Sequence, residues 1–224
     1  MNTLRDRLVQ SWTDNAPAWT EAVRSGAVAS REAGTDAAVV EAVLRGLPPA
    51  GRVLDVGCGE GWLVRALAAV GVDARGVDAS APLVEAARER GGAFDVVSYD
   101  EAAAEPDRLG GPVDAAVFNF SLLSDDVVGV LRAAASRLDG GRVVVQTVHP
   151  ATAAAPYRDG WREESFERVG AGFAPMPWYF RTFGSWVRSL GAAGLALAEV
   201  AEPVDPGTGA PLSLILTATP AADR

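Results

Sequence analysis

The sequence predicts an α/β protein: a seven-stranded, mostly parallel sheet with helices on both faces, closed by an antiparallel pair at its C-terminal end. Three observations carry that prediction. Short apolar runs alternate with stretches of helical period from about residue 35 onward. The first run, RVLDV (52–56), enters a glycine-rich turn, GCGEG, ahead of a helical pattern. The last two runs, LALAEV (195–200) and LSLILTAT (212–219), follow one another without a helical stretch between them, although the linker EPVDPGTGAP is long for a hairpin.

The elements follow in chain order. Residues 1–34 form a helical cap that carries Trp12, Trp19, Arg24 and Arg31. Thr35 and Asp36 suit the start of a helix whose Val39, Val40, Val43 and Leu47 share a face, and Pro48, Pro49 and Gly51 end it. After the first strand a helix runs from about Glu60 to Val70, then a short second strand, ARGVD (74–78). Ser80 caps the next helix, with Pro82 in its first turn, where a missing N–H costs little. AFDVVSY (93–99) and VDAAVFNF (113–120) read as the third and fourth strands. Ser124, Asp125 and Asp126 open a helix lasting to about Leu138, and acids suit that positive end. Gly140 and Gly141 stop it, and RVVVQTV (142–148) is the fifth strand. Residues 35–149 are thus the binding core. From 150 to 180 the pattern breaks into prolines and aromatics, which reads as a substrate lid. A last helix at 183–193 and the closing strands complete a single domain through residue 224.

Composition narrows the chemistry. The 224 residues carry a formal charge of −9, which repels phosphate backbones and speaks against nucleic acid as a partner. All 20 basic residues are arginine, so lysine Schiff-base chemistry and a P-loop lysine are excluded. One histidine and one cysteine cannot assemble a His/Cys zinc site or a disulfide within the chain. No G-x-S-x-G elbow occurs. The opening residues lack the apolar core of a signal peptide, and no apolar run approaches the length of a membrane span, so a cytoplasmic protein with no membrane partner is expected. Monomer and homodimer both stay open.

The glycine turn decides between ligands. Gly57, Gly59 and Gly61 are spaced G-x-G-x-G with Asp55 before them, whereas a dinucleotide fingerprint is G-x-G-x-x-G. A carboxylate beside a pyrophosphate is repelled; beside an ammonium and a sulfonium it is attracted. The stretch VLDVGCGEGWLVRALA resembles the first motif of the class I S-adenosylmethionine-dependent methyltransferases, which have a Rossmann-like fold. The resemblance continues in GVDAS, where Asp78, with Ala79 beside it, implies a contact to both ribose hydroxyls. Tyr99 and Asp100 resemble adenine-edge contacts, and Asn119 in FNFSLL resembles a contact to the methionyl part. Each also reads more plainly: Tyr99 as a packed aromatic, Asp100 as a solvated loop acid, Asn119 as a strand-end polar group. Cys58, inside the turn, is a packing residue rather than a nucleophile. In many relatives the N-terminal helices close over the cosubstrate, which makes Arg31 a partner for its carboxylate or else a surface arginine.

The acceptor is expected to be a small molecule bearing a hydroxyl, next an amine, on an aromatic or conjugated body. The base-methylating N/D-P-P-Y/F segment is absent, since residues 119–122 read NFSL. The carboxylates of metal-dependent catechol methyltransferases are missing from the strand ends, which favours metal-independent transfer. His149 in QTVHP lies at the carboxyl end of the fifth strand and is the candidate general base, or else a turn residue before Pro150. Trp161, Trp178 and Tyr179 are candidate faces for a flat acceptor, or the lid's own small core. An NAD(P)-dependent oxidoreductase and a non-methylating S-adenosylmethionine-binding protein of the same fold are the alternatives.

Overall fold

The computed structural model describes residues 3–153 and 155–222. Its main sheet has seven strands in the order β3-β2-β1-β4-β5-β9-β8. These are β1 (Arg52–Val56), β2 (Asp73–Asp78), β3 (Ala93–Val96), β4 (Val113–Asn119), β5 (Leu138–Thr147), β8 (Leu195–Ala201) and β9 (Leu214–Pro220). The first five run parallel; β9 lies antiparallel to β5, and β8 antiparallel to β9. The expected architecture is observed.

Both faces of the central strands are buried, which is why they read as unbroken apolar runs. Alternate residues serve opposite faces. Leu54, Ala116, Phe118, Val143, Val145 and Leu216 belong to one core, which includes Val130 and Leu131 of helix α7 (Val128–Ala135) and Trp186 and Leu190 of α8 (Phe183–Ala192). Val53, Ala115, Val117, Val144 and Ile215 belong to the other, with Val39 and Val43 of α3 (Asp36–Leu44) and Leu63 and Leu67 of α4 (Trp62–Ala68). Helix α5 (Ala81–Glu89) sets Val84 and Ala87 against Phe94.

Several boundaries differ from the sequence reading for identifiable reasons. Residues 97–99 leave the sheet because Ser98 and Glu101 form a reciprocal capping box that starts α6 (Tyr99–Ala104). Helix α7 begins only at Val128, whose N–H donates to Asp126, while Asp125 is drawn away to Arg5. Gly140 and Gly141 do not stop a helix; they lie inside β5, where Gly141 packs so close to the Asp114 backbone that a Cβ would overlap it. Ser80 sits at the α5 N-cap position without a side-chain cap, and its hydroxyl is buried without a partner among the described residues.

The largest difference lies at 150–180. An antiparallel pair, β6 (Gly160–Glu164) and β7 (Met176–Phe180), forms a second small sheet there. Neither segment alternates cleanly between apolar and polar residues, so period alone does not show it. The pair packs against α1 (Leu4–Asp14) and α2 (Ala16–Ser25) through a cluster of Leu8, Leu123, Phe166 and Met176, flanked by Trp12, Trp19 and Trp178. Asn15, between the two helices, donates to the carbonyl of Ala174 at 3.0 Å and accepts from its N–H at 2.7 Å. The N-terminal helices and the hairpin are thereby one roof over the carboxyl ends of the parallel strands.

Candidate functional site

In an open parallel sheet, ligands lie beyond the carboxyl ends of the strands where the strand order reverses. Here that point is between β1 and β4, and a cavity of about 830 Å³ opens above it. Its lower wall is the glycine turn. Gly57 has a φ of +81°, and a Cβ on it would come within 2.4 Å of the Ser121 Cβ and 2.9 Å of the Tyr99 hydroxyl. Only glycine fits.

Four amides of this turn are already used. The N–H groups of Gly57 and Cys58 donate to the Val77 carbonyl, at 2.7 and 3.0 Å. Gly59 donates to Asp78 Oδ2 at 2.9 Å, and Gly61 to the Cys58 carbonyl at 3.0 Å. A pyrophosphate cradle needs such amides pointing at the ligand. This turn instead offers acceptors. Asp55 is 2% exposed, and its Oδ1 has no hydrogen-bond partner among the described residues. Asn119 Oδ1, at the end of β4, is likewise buried without a partner. Leaving such atoms unpaired is costly, and a cation with several N–H donors would relieve both.

Burial, and then the charge of Asp78, push the Asp55 carboxyl up to about 8. Asp78 is held differently: its Oδ1 accepts from Ser80 N at 2.8 Å and its Oδ2 from Gly59 N. Burial raises its pKa too, against the lowering effect of those amides and that of Ala79. Each Asp78 oxygen keeps acceptor capacity, as a pair of ribose hydroxyls requires. Next along the wall, Tyr99 donates its hydroxyl to the Ser121 carbonyl at 3.1 Å, and burial raises its pKa. Asp100 is exposed at the cavity edge. Arg31 lines the opposite side, bonded through Nε and Nη2 to Asp36 at 3.0 and 2.9 Å, with its guanidinium 4.3 Å from the Trp62 ring centroid. The turn is braced from the roof, since the buried Glu60 carboxylate pairs with Arg65 at 2.7 Å and with Arg24 of α2 at 3.4 Å.

All ten residues expected at the cosubstrate, Arg31, Asp55, Gly57, Cys58, Gly59, Asp78, Ala79, Tyr99, Asp100 and Asn119, line this one cavity. The acceptor residues fare less well. Trp178 lines the cavity, but Trp161 and Tyr179 do not. They face each other across the hairpin, rings 5.6 Å apart, on the side opposite Trp178 and Arg162. Tyr179 also lies under the buried guanidinium of Arg181, which donates to the carbonyls of Leu122 and Ser124. Desolvation draws the Arg181 pKa down to about 10.

The expectation for His149 needs correction. Its neighbours Val148 and Thr152 reach the cavity, but the imidazole does not. Nε2 lies 2.7 Å from Glu202 Oε1, and Nδ1 accepts from the Ala151 N–H at 3.2 Å. With Nδ1 engaged by the turn after β5 and Nε2 by Glu202, just after β8, the ring ties that turn to the end of β8 rather than facing the cavity.

Other wall residues escape sequence reasoning. Phe120, directly after Asn119, has a φ of +52°, uncommon for a bulky side chain, and faces the cavity. Ser121 donates its hydroxyl to the Val56 carbonyl at 2.7 Å and so shapes the ceiling over Gly57. Trp12, Phe166 and Met176 complete the roof. The aromatic content of 150–180 signals that part of the chain, but not which side of a hairpin each ring takes.

A family model described as a methyltransferase domain matches residues 30–199. No curated protein matches the sequence. Among solved structures, an S-adenosylmethionine-dependent methyltransferase from Mesorhizobium loti is 23% identical, over 80% of this chain and 97% of that one, with a TM-score of 0.59. The CcbJ methyltransferase from Streptomyces caelestis is 20% identical, over 84% of this chain and 89% of that one, with a TM-score of 0.61. Magnesium protoporphyrin IX methyltransferase from Synechocystis, with S-adenosylmethionine bound, is 20% identical over 84% of this chain and 78% of that one, with a TM-score of 0.56. At these identities the likeness carries the fold.

Proposed function

The chain belongs to the methyltransferase domain family as a class I S-adenosylmethionine-dependent methyltransferase, and from that premise we propose that it methylates a hydroxyl, or next an amine, of a small aromatic or conjugated metabolite without a metal ion. The observation that carries the proposal is the continuity of the cavity. Its wall takes in both the unpaired acceptors Asp55 Oδ1 and Asn119 Oδ1 and the rings of Trp12, Phe120, Phe166 and Trp178. Bound S-adenosylmethionine supplies a methyl group made electrophilic by the sulfonium.

In this reading Asp55 and Asn119 accept from the ammonium, and Arg31 answers the carboxylate. Asp78 accepts from the ribose hydroxyls, and Asp100 from the adenine edge, with Tyr99 as the packed wall between. Gly57 lets Ser121 and Tyr99 pack against the turn, and Gly59 keeps the floor open for the ligand to lie on it. The aromatic wall holds the acceptor ring, and Trp178 offers the most direct face. On transfer the acceptor hydroxyl or amine would give up its proton to water, while Asp55, Asn119, Arg31 and Asp78 would hold the cosubstrate in place. With His149 turned away, in-line positioning of acceptor and donor supplies the acceleration. The strand ends beside the cavity, Asn119-Phe120 and Thr147-Val148, offer no carboxylate for a metal ion.

The test is a transfer assay with a chelator present, across phenols, aromatic amines and their saturated counterparts, read as the mass gain of one methyl group. Methylation of the aromatic members supports the proposal. Binding of S-adenosylhomocysteine with turnover confined to saturated acceptors, or lost on chelation, overturns it.

A further inference from the structure

One polar group directly over the glycine turn is left unused by this reading, the indole N–H of Trp19. Trp19 of α2 lines the cavity directly above the glycine turn. A Cβ placed on Gly59 would meet nothing within 4 Å except the Trp19 indole nitrogen, at 3.9 Å. The space over Gly59 is therefore open to the cavity, and the indole Nε1 stands at its edge. That N–H has no acceptor among the described residues. The ring itself is well fixed: Trp12 meets it edge-on at 5.4 Å, and Phe166 and Phe173 lie 6.0 and 6.5 Å away. Its helix is tied down beside the turn by Arg24, through Glu60 and the Ala86 carbonyl.

A fixed indole N–H that reaches a ligand cavity without a partner is a donor waiting for an acceptor. The turn below it presents acceptors, as do Asp55 and Asn119, so the match has to come from the ligand. The negatively charged part of the cosubstrate is the carboxylate of its methionyl end. Arg31 is a second donor lining the cavity, and two of its nitrogens are occupied by Asp36.

We propose that Trp19 Nε1–H donates to the methionyl carboxylate and, together with Arg31, selects ligands that carry the intact amino-acid end. This rests on the cosubstrate reading above and adds to it a residue from the N-terminal roof. The roof thereby senses whether a complete cosubstrate is in place, because a fragment without the carboxylate leaves the Trp19 donor unpaired.

Isothermal titration with two ligands tests this apart from turnover. S-adenosylhomocysteine has the amino-acid end; 5′-methylthioadenosine has the same nucleoside and sulfur without it. Trp19→Phe keeps an aromatic ring against Trp12, Phe166 and Phe173 but removes the donor. The expected result is an affinity for S-adenosylhomocysteine lowered about tenfold, as for a hydrogen bond to a charged group, with that for 5′-methylthioadenosine unchanged. Trp19→His, which restores a ring N–H, should recover part of the loss. Equal affinities of wild type and Trp19→Phe for S-adenosylhomocysteine overturn the proposal. Equal losses for both ligands also overturn it, because they assign Trp19 to packing of the roof. Failure of the wild-type protein to bind either ligand would instead count against the cosubstrate reading itself.

Discussion

At the carboxyl end of β1, Asp55 and Asp78, expected to hold the cosubstrate, sit on strands paired on both sides: β1 lies between β2 and β4, and β2 between β1 and β3. Across the same cavity, Trp12 comes from α1, and Phe166 and Trp178 from the loop and second strand of the β6–β7 hairpin, far from that helix in sequence. The floor is fixed by backbone geometry, with four of its amides spent on neighbouring carbonyls and on Asp78. The roof is fixed by side-chain packing and by a few tethers, such as Asn15 to Ala174 and Arg5 to Asp125 at 2.8 Å. The floor therefore has little freedom to change its ligand, whereas rings in the roof can be exchanged to suit another acceptor.

The strongest way to break this contrast is Gly57→Ala. If the floor cannot yield, the added methyl group meets Ser121 and the Tyr99 hydroxyl at a φ that disfavours side chains. Overpacking together with that strain should destabilise the fold by about 2–4 kcal/mol. Chemical denaturation measures the loss, and titration should find no S-adenosylhomocysteine binding. A stable variant that still binds would mean the floor is as adaptable as the roof.

Asp55→Asn is the next largest effect and sharpens the electrostatic side. Binding of S-adenosylhomocysteine should weaken on the order of 100-fold at about pH 8.5, because the charged acceptor for the ammonium is gone. The wild-type pH dependence has a definite sign. Asp55 titrates near 8 in the free protein, so the carboxylate must lose a proton to receive the ammonium. Affinity should rise roughly tenfold between about pH 6.5 and about pH 8.5 with release of a proton; Asp55→Asn should flatten this rise. Stability runs the opposite way. The folded pKa lies above the ordinary carboxylate value of 3.8, so the folded state holds the extra proton, and its contribution to stability is lost as pH rises from about 4 through about 8. Thermal melts of the free wild-type protein across that window, compared with the variant, check it.

The same contrast explains what was legible in the sequence. Asp55, Gly57 and Asp78 could be located because strand-turn-helix geometry ties each chemical role to a fixed offset from a strand end. Asn119 and Tyr99 could be located less directly, as the residues closing β4 and following β3. The capping box of Ser98 and Glu101 was a local signal, and it was masked by the apolar run before it. Trp161, Trp178 and Tyr179 carried no such offset. Which ring faces the cavity depends on the register of β6 against β7, and shifting a strand by one residue exchanges its faces. Trp19 reaches the glycine turn only because Arg24 and Asn15 dock α2, contacts no local pattern contains.

Trp178→Ala tests the roof alone. With one aromatic face removed, KM for an aromatic acceptor should rise about tenfold, while S-adenosylhomocysteine affinity stays within about twofold of wild type. Steady-state kinetics and titration, run in parallel, separate the two. If cosubstrate affinity falls along with KM, the floor and roof are not independent.

The smallest effect is expected at His149, and it decides whether the turn after β5 belongs to the chemistry or only to the scaffold. The imidazole is buried, but its partners are Glu202 and the Ala151 amide rather than the cavity. His149→Gln keeps a hydrogen-bonding side chain of similar reach, so the turn carrying Val148 and Thr152 should hold, at a cost of about 1 kcal/mol or less. Turnover should then stay within about twofold of wild type, with the shape of its pH profile unchanged. A fall in kcat of more than about tenfold, with cosubstrate affinity and KM preserved and the acid limb of the profile altered, would require the ring to swing from Glu202 into the cavity during turnover. The contrast would then fail at this turn, because a residue on the sheet side would be moving with the acceptor.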